Sequence, residues 1–181
     1  MSFRSRLLAV MSLLWLAPQP LWAAEPLKIA FVDTGNTGRS LMAETLAPGF
    51  AKGLSRPVVF ISRGVDVDPF DAAAEVNARL LMAKRGHNVA QHRAQQLTAQ
   101  DIAHADLILT MTSAHADKIR AAFPDAKVPV VPLALYATGV SEPIPDAWGK
   151  PMEAYRAVLV QLDRFMPLAI ARAAKEISPR G

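Results

Sequence analysis

The chain of 181 residues has no cysteine at all. That absence excludes disulfides, thiolate metal sites and any thiol nucleophile, and it fits an oxidising compartment in which no disulfide framework is used. Histidine is sparse, and His87, His104 and His115 show no ligand spacing among themselves, so no metal site is expected. No sign of charge dominates: 20 basic against 16 acidic side chains give a formal +4. Two of the basic residues, Arg4 and Arg6, lie in the first 24 residues, which hold no acid, so the remainder carries only +2. Such a balance, without a basic run interleaved with aromatics, argues against nucleic acid or a membrane surface as partner.

Long apolar runs are also missing, with one exception. Leu7 to Ala17 follows Arg4 and Arg6 and precedes Pro18, Pro20, Ala23 and Ala24. Charge, apolar stretch and small residues in that order are the pattern of a secretory signal, too short to span a bilayer. The expectation is therefore a signal peptide over 1–24, a single domain over 25–181, and a periplasmic or secreted product with no membrane span in its mature chain. The 157 residues left are an ordinary single-domain size. Oligomeric state is not written in the sequence, and no internal repeat is visible.

What remains alternates strands and helices. Ile29 to Val32 and Val58 to Ser62 suit short strands, and Asp71 to Arg85 suits a helix with Ala73, Val76, Leu80 and Ala83 on one face, stopped by Gly86. Thr98 with Asp101 reads as a helix start. Leu107 to Met111 is the most convincing central strand, Ser113 caps a helix reaching Phe123, and Val128 to Val131 returns as a strand. The Pro-rich stretch from Val128 to Pro145 otherwise reads as loop. Pro151 to about Ala174 closes the chain as a helix with Tyr155, Val158, Leu159, Leu162 and Met166 inward. This order predicts an α/β fold, a three-layer sandwich whose central parallel sheet carries its sites at the carboxyl ends of strands.

One such end carries the most telling segment, FVDTGNTGRS from Phe31 to Ser40. A strand that turns through Thr34, Gly35, Asn36, Thr37 and Gly38 into a helix beginning near Arg39 points backbone N–H groups and a helix dipole at one spot. Arg39 adds a guanidinium suited to a phosphoryl group. The cradle is built for an oxyanion, yet Asp33 places a carboxylate at its mouth.

The loop resembles VCTGNTCRS of the low-molecular-weight protein tyrosine phosphatases, with Asp33 at the nucleophile position and Gly38 at that of the second cysteine. QHRAQQL (Gln91 to Leu97), ADLILTMTSAH (Ala105 to His115) and IPDAWGKPMEAY (Ile144 to Tyr155) are similar to further family segments, in family order, and together they cover nearly everything from Leu27 to about Pro167. The resemblance implies phosphate binding by Thr34, Gly35, Asn36, Thr37, Gly38, Arg39 and Ser40, with Asn36 bracing the loop. It implies catalytic positions at Asp33, Arg39 and Asp146, the last as general acid, and a substrate wall at Trp148; no cofactor is implied. Asp146 precedes Ala147 where the family has proline, which predicts a less rigid acid loop. By the same resemblance Ser62 hydrogen-bonds near the loop and Arg63 adds positive charge there. Asp66, Asp68 and Asp71 read as a turn and a helix cap.

Without a thiol, cysteine phosphatase chemistry and the arsenate reduction of a related branch are both impossible. Three readings follow. In the first the chain is a secreted pseudophosphatase, a binding or regulatory module for phosphate, another oxyanion or a phosphorylated partner. One Asp33 oxygen then occupies the sulfur position while the other accepts loop N–H bonds and pairs with Arg39, as an internal anion plug. In the second it is an active phosphohydrolase with Asp33 as nucleophile or base and Asp146 as acid. In the third Asp33 and Asp146 converge on a divalent cation.

Overall fold

A computed structural model describes residues 25–179. The expected leader over 1–24 lies outside them. Four parallel strands, β1 (Leu27–Asp33), β2 (Val58–Gly64), β3 (Leu107–Thr110) and β4 (Val130–Pro132), form one sheet in the order β2-β1-β3-β4. Around it lie α1 (Arg39–Phe50), α2 (Val76–Lys84), α3 (Ala99–His104), α4 (Ser113–Ala122), α5 (Leu133–Thr138) and α6 (Met152–Glu176). Among the described residues no helix is long and apolar enough to cross a membrane.

The period-2 alternation of β1 explains the three layers. Leu27, Ile29 and Phe31 face one side, where they join Met42 and Leu46 of α1, Leu81 and Met82 of α2, and Val158, Leu162, Phe165 and Met166 of α6. Ala30 and Val32 face the other side, with Ile102 of α3 and Ala116 and Ile119 of α4. Burial on both faces is why this strand reads as an unbroken apolar run. Phe31 is fully buried and stacks on Phe60 at 6.0 Å between ring centroids. On α6, all five residues expected to face inward are buried.

Three local expectations are corrected. The second helix begins at Val76, not Asp71, because residues 72–75 are held otherwise: Ala73 bridges Arg93 and the Ala94 amide donates to Ala72 O at 2.8 Å. The shorter helix turns a different stripe inward, so Val76 and Leu80 are 61% and 49% exposed while Ala78, Leu81 and Met82 are buried. The N-cap of α4 is Thr112, whose hydroxyl accepts from the His115 amide at 3.3 Å. The Pro-rich stretch contains α5, closed by Gly139 in the left-handed region at φ 78°. Thr98 and Asp101 form the expected capping box.

Candidate functional site

The segment from Asp33 to Arg39 leaves the carboxyl end of β1 and enters α1, and its shape is held from four directions. Asn36 adopts φ 56°, a left-handed conformation that asparagine tolerates better than most residues. Its amide nitrogen donates to Ser40 Oγ at 2.9 Å, its amide oxygen accepts the Gln95 N–H at 2.9 Å, and its carbonyl meets His92 Nε2 at 2.7 Å. Thr34 Oγ1 lies 2.9 Å from His115 Nε2. Just beyond β2, the Val65 and Asp66 amides donate to Asp33 O and Thr34 O at 3.0 and 2.9 Å. That approach needs Gly64, where a Cβ would stand 2.6 Å from Thr34 O and 2.5 Å from Val67 Cγ2.

Asp33 is 2% exposed and sits at the centre of this turn. Its Oδ1 accepts the Asn36 N–H at 2.7 Å and its Oδ2 accepts the Ser40 N–H at 3.0 Å. Two backbone donors aimed at the centre of the loop are thus taken by a side chain of the loop itself. Arg39 does not pair with Asp33, in contrast to the plug as read from the sequence. Its Nη1 donates to Ile144 O at 3.2 Å and its Nη2 lies 3.1 Å from Asp146 Oδ2. The turn before α6 faces the guanidinium with Asp146, whereas the oxygens of Asp33 are drawn to the amides.

Asp146 divides its two oxygens between a turn and the cavity. Oδ1 accepts the Trp148 N–H at 3.1 Å, as in a turn, and Oδ2 faces Arg39 at the cavity mouth. The loop around it is tied down: Ala147 is buried in the core, and the Ile144 amide donates to Met111 O at 2.9 Å. Proline's absence leaves it anchored by packing instead. Asp33, Thr34, Gly35, Thr37, Arg39, Asp146 and Trp148 line one cavity of about 290 Å3; Asn36, Gly38 and Ser40 support it from behind. Trp148 is 63% exposed on its rim.

Asp66, Asp68, Asp71 and Glu75 line the same cavity, so its mouth carries more negative than positive side chains. Asp68 Oδ1 accepts the Phe70 amide at 2.8 Å, a turn as expected, but Asp71 caps no helix, because α2 starts five residues later. Ser62 and Arg63 are not at the loop. Ser62 Oγ donates to Glu44, and Arg63 pairs with Asp101 at 2.9 Å on a separate cavity between β2 and α3. The strand alternation sends Ser62 and Arg63 to opposite faces, and neither face is the loop's. Among the described residues no group of three or more His, Asp or Glu side chains is gathered as a metal site.

Residues 28–178 match the family described as Low molecular weight phosphotyrosine protein phosphatase. The chain belongs to that family. A protein-arginine-phosphatase of Geobacillus stearothermophilus is 36% identical over 146 residues, covering 78% of this chain and 92% of the relative. A probable low molecular weight protein-tyrosine-phosphatase, EpsP of Ralstonia solanacearum, is 34% identical over 146 residues, covering 80% and 94%. Among solved structures, a YwlE mutant from Bacillus subtilis superposes with a TM-score of 0.76 at 29% identity, covering 82% of this chain and 99% of that one. The relatives are thus named as phosphatases acting on two different phosphoamino acids.

The geometry also brings in two residues that sequence reasoning missed, His115 and Glu75. His115 lies in a segment matched to the family, but its role emerges only in three dimensions. Burial, then Arg39, lowers its pKa to about 4, against the opposing pull of Asp33 and Asp146, so it meets Thr34 as a neutral ring at neutral pH. Glu75 stands outside every motif, yet it accepts hydrogen bonds from Thr37 Oγ1 at 2.9 Å and from the Tyr155 hydroxyl. Burial raises the Glu75 pKa; the bonds from Tyr155 and Thr37 pull it down, and Asp146 and Asp33 add to the rise. Nothing about one glutamate among alanines marks it in the sequence.

Proposed function

We propose that this chain is a pseudophosphatase of its family, exported from the cytoplasm, in which a degenerate phosphate-binding loop serves binding or regulation and not hydrolysis. The observation that carries this reading is the Asp33 carboxylate accepting the Asn36 and Ser40 amides at 2.7 and 3.0 Å. Those donors are the kind that would hold an oxyanion. A buried carboxylate at the same place also repels one: a pair of unit charges about 4 Å apart at an effective dielectric of 20 costs roughly 4 kcal/mol. That is nearly a thousandfold in affinity. The acidic rim of Asp66, Asp68, Asp71 and Glu75 adds repulsion of the same sign.

The relatives' names support phosphorylated side chains as the class from which the ligand comes, and leave the arginine and tyrosine forms equally open. The active-hydrolase reading has one observation in its favour, the placement of Asp146 beside Arg39 at the mouth. Against it, both oxygens of Asp33 are engaged by amides, and a carboxylate is a far poorer nucleophile than a thiolate. The cation reading is weakened because Asp146 faces Arg39 while Asp33 faces amides.

Hydrolysis of an aryl phosphate, with and without magnesium, by the protein and by Arg39→Ala tests this reading. Equal rates are expected. Turnover lost in both Arg39→Ala and Asp33→Asn overturns it in favour of an aspartate mechanism. Export is tested by expression with the native leader in a Gram-negative host, where the product should lie outside the cytoplasm and begin at or near Ala24 or Glu25.

A further inference from the structure

Glu75 is bound to the loop twice over. Its backbone N–H donates to Thr37 O at 3.0 Å while its Oε1 accepts from Thr37 Oγ1 at 2.9 Å. Its Oε2 accepts from the Tyr155 hydroxyl of α6. The carboxylate consequently lies directly over Gly38: a Cβ built there would meet Oε1 at 2.6 Å and Cδ at 3.2 Å. Glu75 occupies the room that a side chain at position 38 would need, and it faces the cavity shared by Asp33, Arg39 and Asp146.

From this geometry we infer that Glu75 is the specificity-determining residue of the site, a second anion gate whose charged carboxylate turns tetrahedral dianions away and whose neutral form admits them. The inference rests on the loop being an oxyanion cradle, as proposed above. It differs from the plug in kind. Asp33 fills the cradle from below and is locked to backbone donors, whereas Glu75 stands at the side wall with donors from two hydroxyls.

The groups that face Glu75 set the direction of its response. Asp33 at the end of β1 and Asp146 before α6 are like charges; Arg39 of α1 is the opposing charge in the cavity; Asp66, Asp68 and Asp71 lie on the β2–α2 connection; Thr37 and Tyr155 donate to it. Burial and the charges of Asp146 and Asp33 favour the neutral form, so the gate opens on acidification. A purely structural strut would hold the loop equally well in either state.

Sulfate is the probe, because its charge does not change over the range needed, and calorimetric titration of the full domain is the readout. In an Asp33→Ala background, adding Glu75→Gln should tighten sulfate binding by about tenfold near pH 8, and the difference between the two variants should close as the pH falls towards the carboxylate range. Tyr155→Phe in the same background keeps the carboxylate but removes a bond that favours its charged form. Its sulfate affinity should therefore begin to rise at a higher pH than in Asp33→Ala alone. That variant carries the test should Glu75→Gln fail to fold. Sulfate binding by Asp33→Ala that neither tightens with Glu75→Gln nor shifts in pH with Tyr155→Phe overturns the gate and leaves the cradle standing. A gain that stays constant across pH also overturns it. No sulfate binding in any variant overturns gate and cradle together.

Discussion

The Ser40 amide donates to Asp33 Oδ2 across 3.0 Å, joining the carboxyl end of β1 to the first turn of α1. With the Asn36 amide on Oδ1, this bond makes the Asp33 side chain an internal ligand of its own loop. A loop stabilised in this way needs no external anion to hold its shape.

Removing that ligand should transfer the demand to solvent anions. Asp33→Ala leaves two buried N–H groups without their acceptor, and each such loss costs about 1–3 kcal/mol. The variant should melt well below the parent in buffer without oxyanions. Phosphate should raise its Tm progressively and leave the parent's unchanged, since only a binder of the native state is stabilised by mass action. A thermal-shift series in phosphate gives the answer, and equal phosphate response of both proteins contradicts the plug.

His115 predicts an acid-sensitive interval. Its pKa is lowered to about 4 in the folded chain, against about 6.5 when unfolded, so the unfolded state binds the extra proton between those values. The stability it contributes is complete above the unfolded value and is lost as the pH falls through the folded one. Urea unfolding of the parent and of His115→Gln across this interval measures it, with the variant expected to show a flatter profile. Glu75 acts in the opposite sense. Its raised pKa gives a contribution present in full below its ordinary value and lost as the pH rises, so Glu75→Gln should flatten that part of the curve instead.

Gly64 is predicted to tolerate nothing larger. In Gly64→Ala the new methyl meets Thr34 O, a backbone atom that cannot move without displacing the loop. A loss of about 1–3 kcal/mol is expected from overpacking of this kind. The denaturation midpoint should fall, and backbone resonances of Thr34 and Gly35 should shift more than those of the core.

How far the sequence reached follows from what kind of signal each part left. The strands and α6 were readable because burial of a whole strand or a helix face imposes a period on many residues, as from Leu27 to Val32 and from Tyr155 to Met166. The loop was readable because Asn36, Arg39 and Ser40 are unusual residues at close spacing. The start of α2 was not, because Ala72 and Ala73 are helix formers recruited by Ala94 and Arg93, partners far along the chain. Arg39 turning to Asp146, and Glu75 reaching Thr37 and Tyr155, were equally hidden, since each joins segments separated by tens of residues and leaves no local pattern. The packing of Ala147 was hidden for a related reason: its burial depends on neighbours in the core that no local pattern announces.

The final test is whether the site can be restored to chemistry. Asp33→Cys would place a sulfur at the end of β1, beneath the amides of Asn36 and Ser40 that now serve the carboxylate. Those donors and the helix dipole favour a thiolate over a thiol, and removal of one carboxylate frees the cradle for a phosphoryl group. Arg39 is already beside the cavity, and Asp146 stands 3.1 Å from it at the mouth, where a leaving oxygen would take a proton. Aryl-phosphate hydrolysis should therefore appear in Asp33→Cys and disappear again when Arg39→Ala is added. It should remain slow, because Asp66, Asp68, Asp71 and Glu75 still repel the substrate from the rim. Glu75→Gln added to Asp33→Cys should raise kcat/KM chiefly through KM. Rapid-quench measurement of a phosphocysteine burst separates the covalent step from later turnover. A folded Asp33→Cys protein that shows neither burst nor turnover would mean that the loop no longer presents its amides to a phosphoryl group. Another surface would then have to carry the binding function proposed for this chain.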